Sequence, residues 1–192
     1  MDVKELKKLF GNYTQFYLEY SEYQYGFGRG DKRGKGSNYF PVNGADCTKA
    51  KCLELFDPKT ENLNWISDIF PNIEVLELKE KKSDKLLSLD GIEKLNNLKT
   101  LIISSQFDKQ GILSLNKINS SIKELYLWYT IVDFSILNEK MNFIYLHESK
   151  ILNFDKLQSL NCNYLKFYNV KDNDRTQTTI EDYSGPFNEY TF

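Results

Sequence analysis

The chain carries an apolar triplet at spacing x, x+3, x+5 that recurs along most of its length. It reads Ile73, Leu76, Leu78, then Leu98, Leu101, Ile103, then Ile122, Leu125, Leu127. It returns as Met141, Ile144, Leu146 and as Cys162, Leu165, Phe167, and a degenerate first copy is Ala50, Leu53, Leu55. Successive copies start at 50, 73, 98, 122, 141 and 162. The last two positions of each triplet alternate as the inward side chains of a short strand do, and the first turns inward as the chain enters that strand. A second apolar cluster follows each copy: Leu89, Ile92, Leu95; Ile112, Leu115, Ile118; Val132, Phe134, Leu137; and Leu152, Phe154, Leu157. One such unit cannot bury both its limbs alone, whereas stacked units bury a continuous core.

This periodicity falls in or within one residue of the 20–29-residue range of a leucine-rich repeat. The expected fold class is α/β: a leucine-rich-repeat solenoid of about five to six short repeats with parallel concave strands and an N-terminal helical cap. The expected organisation is 1-45 as a capping helix and basic Gly-rich loop, 46-170 as the solenoid and 171-192 as a C-terminal cap or tail. An ordinary α/β domain with mixed strands is the rival fold. In the N-terminal segment Val3, Leu6, Leu9, Phe10, Tyr13, Phe16, Tyr17 and Tyr20 recur at helical spacing. Asp2 followed by Glu5 gives a capping-box-like start, and Gly11 and Asn12 weaken the middle. Residues 37–42 read as an edge strand, with Pro41 tolerated at an edge. Thr176 to Ile180 reads as one last strand.

The stretch Leu-Ser-Leu-Asp-Gly-Ile-Glu-Lys-Leu-Asn-Asn-Leu-Lys-Thr-Leu (87–101) resembles the short repeats of internalin-type bacterial leucine-rich-repeat proteins. So does Tyr-Thr-Ile-Val-Asp-Phe-Ser-Ile-Leu (129–137), and Ser-Lys-Ile-Leu-Asn-Phe-Asp-Lys-Leu (149–157) is a looser echo. The resemblance implies a fold and a binding role without naming a partner, because such a fold hosts many functions. The chain departs from the pattern where an Asn usually satisfies backbone groups along the turn. Lys81, Gln106, Thr130, Ser149 and Val170 stand there instead. Thr130 and Ser149 can substitute through their hydroxyls, and Lys81 and Val170 cannot do so in the same way.

Between the inward leucines, the alternate side chains point to the opposite face. On the last three strands these are Glu124, Tyr126 and Trp128, then Phe143, Tyr145 and His147, then Tyr164, Lys166 and Tyr168. Aromatics gathered on one surface are the material of an interface hot spot, so these nine residues are the expected partner-binding site. Two other readings stay open: a terminal segment folds over the face, or one strand is out of register and turns its aromatics inward.

Composition adds little bias. Among 192 residues, 25 Lys plus Arg oppose 27 Asp plus Glu, so no global charge favours nucleic acid or an anionic membrane. The local exception is the Gly-rich stretch 26–36, where Arg29, Lys32, Arg33 and Lys35 outweigh Asp31. It lacks the glycine and Ser/Thr placement of a phosphate-binding P-loop. It reads first as a surface loop, and its functional alternative is a basic arm for nucleic acid or an acidic partner. The start of the chain lacks the apolar run of a secretory signal, and no stretch approaches the ~20 apolar residues of a membrane span. Three cysteines, an odd number, fit reduced thiols in the cytoplasm, with a Cys47–Cys52 bridge left open.

Catalytic constellations are scarce. His147 is the sole histidine, so no metal site built on several histidines can form. Cys162 takes an inward position and His147 an outward one, so the two are not expected to meet. The sequence therefore reads as a non-catalytic protein–protein interaction module with no cofactor and no metal. Its concrete form is a bacterial immunity or inhibitor protein that neutralises a toxin or effector. The alternative is nucleic-acid binding through the basic loop.

Overall fold

The computed structural model describes residues 47–56, 62–80, 88–105, 112–137, 139–173 and 178–190, together with the strands Gln15–Tyr17 (β1) and Ser37–Tyr39 (β2). The fold is α/β with a mostly parallel sheet and few helices. Six parallel strands lie side by side in the main sheet: β3 (Cys52–Phe56), β4 (Val75–Glu80), β5 (Thr100–Ser105), β6 (Glu124–Trp128), β8 (Met141–His147) and β10 (Cys162–Tyr168). β7 (Ile131–Asp133), β9 (Lys150–Leu152) and β11 (Lys171–Asp172) form a second parallel sheet, edged by antiparallel β12 (Thr178–Thr179). Among the described residues the α-helix is the four-residue α1 (Ile66–Ile69), and short 3-10 turns make the other connections.

The triplet spacing sets the register. Leu53, Leu76, Leu101, Leu125, Ile144 and Leu165 pair in one row, and Leu55, Leu78, Ile103, Leu127, Leu146 and Phe167 in another. Both rows are buried, as are the leading residues Ala50, Ile73, Leu98, Ile122, Met141 and Cys162. Val132 and Ile151 enter the same core from the second sheet. Each buried Leu or Ile contributes roughly 1.5–3 kcal/mol of transfer free energy, so these rows dominate the folding drive.

The return limb differs from the sequence reading by one residue in two places. Ile112 is exposed, and Leu113 points inward, bridging to Val132. Ile151 is wholly buried and Leu152 only partly. The Leu113 bridge to Val132 decides the first and the pairing of β7 with β9 the second, because a one-residue slip turns a strand's side chains to the other face.

The ends of the main sheet are antiparallel. β1 pairs with both β3 and β2. Phe16 and Tyr17, assigned by their spacing to a helix, therefore lie in a strand. Pairing to the edge of β3 satisfies a row of backbone groups that a local helix would leave open. Most of the expected capping helix lies outside the described residues. Ser37–Tyr39 takes the edge position that its sequence suggested. At the far end β13 (Tyr183–Pro186) pairs with β10. Phe187 and Tyr190 pack on the core behind it, with Tyr190 edge-on to Phe167 at 5.5 Å.

Side chains tie successive connections on the surface. Glu74 bridges Lys51 at 2.8 Å and Lys99 at 2.7 Å on the two flanking units. Asn72 Nδ2 donates to Thr48 O, and Asn97 Nδ2 donates to Pro71 O, each reaching back to the preceding turn.

Two predictions follow from these contacts. Gly91 sits at φ +102°, and a Cβ there would fall on the Asn64 backbone N and 2.6 Å from Asn64 Cα. Gly91→Ala is expected to cost about 2 kcal/mol or more, read as a lowered midpoint in urea unfolding. Glu74 has its pKa held below the usual carboxylate range by the hydrogen bond from Lys51, then that from Lys99, against the opposing effect of burial. A depressed carboxylate stabilises the fold above its unfolded pKa and loses that contribution as pH falls through the folded value. Glu74→Gln should therefore flatten the acid limb of the stability curve, by less than about 1 kcal/mol for so exposed a network. An unchanged acid limb would show that the bridge contributes nothing.

Candidate functional site

All nine residues singled out for partner binding fall together on three adjacent parallel strands. Register arranges them as a grid. Glu124, Phe143 and Tyr164 form one row across β6, β8 and β10; Tyr126, Tyr145 and Lys166 form the next; Trp128, His147 and Tyr168 form the third. The face opposite the leucine core is thus the aromatic one, and no strand is slipped.

This face is closed at one end and opens toward the other. On the first strands Glu54 and Ile102 are wholly buried, and Glu77 is 3% exposed. Cys52, Val75, Ile102, Tyr126 and Tyr145 form a second buried cluster, with Trp128 and Phe143 packed against it. The N-terminal half of the face is therefore not an open binding surface, and Tyr126 and Tyr145 are floor rather than rim. Exposure rises at β10, where Tyr164 and Tyr168 are each 37% exposed.

The rings brace one another. Tyr126 lies 5.2 Å from Phe143, and Phe143 stacks on Tyr164 at 5.5 Å. Trp128 meets Tyr145 edge-on at 6.1 Å, and His147 lies 4.9 Å from Tyr168. Lys166 holds its ammonium 5.0 Å from the centre of the Tyr145 ring, a cation–π contact. Thr100 Oγ1 donates to Glu124 at 3.0 Å, which orients that carboxylate. Burial of His147 holds its pKa below the usual histidine range, and Lys166 pushes the same way against Glu148 and Asp182. Its Nε2 lies 3.5 Å from Glu148.

The turns that leave these strands carry the chemistry that the sequence reading missed. Tyr129, Glu148 and Asn169 all have positive φ, at 57°, 46° and 49°. Tyr129 N–H donates to His147 O at 3.0 Å, and Glu148 N–H donates to Tyr168 O at 2.9 Å. Asn169 has no further parallel strand to reach, and its N–H donates to the Asp182 carboxylate at 2.7 Å. Beneath these turns Ser149 Oγ donates to His147 O and Leu127 O, and accepts from Thr130 N–H at 3.2 Å. The Thr130 and Ser149 hydroxyls lie 3.3 Å apart, both buried, and it is the Ser149 hydroxyl that bonds the turn backbone. Beside Asn169 lies an open depression of about 490 Å³ lined by Glu148, Tyr168, Thr179, Ile180, Glu181 and Asp182. Glu148 and Asp182 escaped the sequence reading because neither occupies a position in the apolar template.

Cys162 belongs to the leucine core, where burial raises its thiol pKa, so it lies across the sheet from His147. No disulfide joins Cys47, Cys52 and Cys162. Among the described residues no three His, Cys, Asp or Glu side chains are grouped to hold a metal, and no helix is long and apolar enough to cross a membrane. The basic-loop residues Arg29, Lys32, Arg33 and Lys35 lie outside the described residues, as do Lys81 and Gln106. Compared with known proteins, the chain matches no family model, no curated protein and no solved structure.

Ser149→Ala removes a buried hydroxyl that serves two carbonyls and one N–H. It is expected to cost about 1–3 kcal/mol, read by urea unfolding. Ser149→Thr, which keeps the hydroxyl, should cost less; equal losses would assign the effect to packing instead.

Proposed function

We propose that this chain is a short leucine-rich-repeat solenoid, of five to six irregular repeats, that works by binding another protein and performs no chemistry itself. The even register of the inward leucine rows and the second parallel sheet behind them support the solenoid reading. One observation carries the function: an aromatic grid, braced ring against ring, that becomes solvent-exposed at Tyr164 and Tyr168. Rigid aromatic side chains bury large area at low entropic cost, which suits them to anchor a protein partner. Within this class the reading that best fits a small rigid binding surface is an inhibitor or immunity protein that neutralises a toxin or effector. Such a protein needs only a complementary face, and charge at its rim speeds association.

The test is affinity capture of the tagged full chain from its native host, followed by titration of the recovered partner. The Tyr164→Ala, Tyr168→Ala double variant is expected to bind at least about ten-fold more weakly, the size of a modest hot spot, with its unfolding midpoint little changed. Full affinity in the folded double variant would overturn the assignment of this face.

A further inference from the structure

We infer that the aromatic face contains a proton-operated pivot: uptake of a proton by His147 draws its imidazole off the tyrosine rings toward the acidic turn, and so resets the packing around Tyr168. His147 is the sole histidine of the chain, and histidine is the side chain whose charge ordinarily changes between about pH 5 and 8. Its side chain is 19% exposed and packs among three tyrosines. The imidazole lies 4.9 Å from the Tyr168 ring, 5.9 Å from Tyr129 and 6.0 Å from Tyr145, the last nearly parallel at 12°. Trp128 is its register neighbour on β6.

Opposite charges face this imidazole from two sides. On one side Lys166 of β10 holds its ammonium 5.0 Å from the centre of the Tyr145 ring. A protonated imidazole stacked there places a second cation against a ring that already attends one, and the two repel. On the other side stand Glu148, next in the chain, and Asp182 of the tail with Glu181 beside it. His147 Nε2 lies 3.5 Å from the Glu148 carboxylate, longer than the about 2.8 Å of a charge-assisted bond. Protonation makes both ring nitrogens donors, and the new charge favours closing that gap. The main chain is held on both residues. His147 O accepts the Tyr129 N–H and the Ser149 hydroxyl, and Glu148 N–H donates to Tyr168 O. The side chains therefore move, and the imidazole leaves its stack. Burial holds the His147 pKa below the usual histidine range, Lys166 adds to this, and Glu148 and Asp182 oppose it. The stacked neutral form thus prevails at neutral pH, and the pivot turns under acid. On the protein-binding reading, a partner seated on Tyr168 meets a different surface there.

The experiment follows the full chain, isotope-labelled in its histidine and tyrosine rings, by NMR from about pH 7.5 down to about pH 4.5. The one imidazole should titrate with a midpoint below that of histidine in a short peptide. Across that midpoint the ring-to-ring Overhauser contacts between His147 and Tyr145 should weaken and the Tyr168 ring signals should shift. His147→Gln, which takes up no proton there, should hold the Tyr168 signals still, separating the pivot from carboxylate titration. Glu148→Gln removes the acceptor and should lower the midpoint further; Lys166→Gln removes the competing cation and should raise it. A midpoint at or above the peptide's, Overhauser contacts that survive protonation, equal movement of Tyr168 in His147→Gln, or a midpoint unmoved by both charge variants would overturn the proposal. The contacts in the unsubstituted chain decide it even where a variant fails to fold. Those outcomes leave the protein-binding reading untouched, since capture and the Tyr164 and Tyr168 variants test it at neutral pH.

Discussion

Where each of the first four parallel strands of the main sheet begins, one backbone carbonyl accepts two N–H groups from the next strand. Lys51 O takes Glu74 and Val75; Glu74 O takes Lys99 and Thr100; Lys99 O takes Lys123 and Glu124; Lys123 O takes Asn142 and Phe143. This repeated bond holds β3, β4, β5, β6 and β8 at one phase, and β10 joins them through Met141 N–H, which donates to Asn161 O. Because side chains alternate strictly along a strand, fixing the phase fixes the face. The leucine rows, the aromatic grid and the exit turns all inherit their alignment from it. A slip of one residue at β6 or β8 would drive Tyr126 or Tyr145 into the leucine core and a leucine toward the aromatic face.

The same ladder creates a problem at its end. Every strand offers N–H and carbonyl groups to a successor, and β10 has no parallel one. The chain answers with β13 run antiparallel, a short strand that ends at the exposed Pro186, which has no N–H to offer a further strand. At the exit turn the Asp182 carboxylate takes the N–H of Asn169 that a next strand's carbonyl would otherwise accept. Replacing a neutral carbonyl by a carboxylate leaves a negative charge at the rim of the aromatic face. The termination of the parallel sheet and the charge at the rim of the aromatic face thus share one residue.

Much of this was legible in the sequence. The x, x+3, x+5 triplet gave the six parallel strands, their order and their inward residues, because burial at period two leaves few other ways to satisfy it. The same alternation places the nine residues from Glu124 to Tyr168 on one surface. The hydroxyl of Ser149 could also be placed, since a buried turn needs donors and acceptors of that reach.

Tertiary structure alone decided the rest. It turned Phe16 and Tyr17 from a helical stripe into a strand between β3 and β2, because pairing with β3 outweighs local periodicity. It set Leu113 and Ile151 inward in place of Ile112 and Leu152, a choice made by a neighbouring strand. It buried Glu54, Glu77 and the floor of the aromatic face and left Tyr164 and Tyr168 exposed. It also brought Asp182 to Asn169 across thirteen residues of tail. Periodicity reports which side of a strand a residue takes. It carries no information on what covers that side, because coverage depends on contacts between segments remote in the chain.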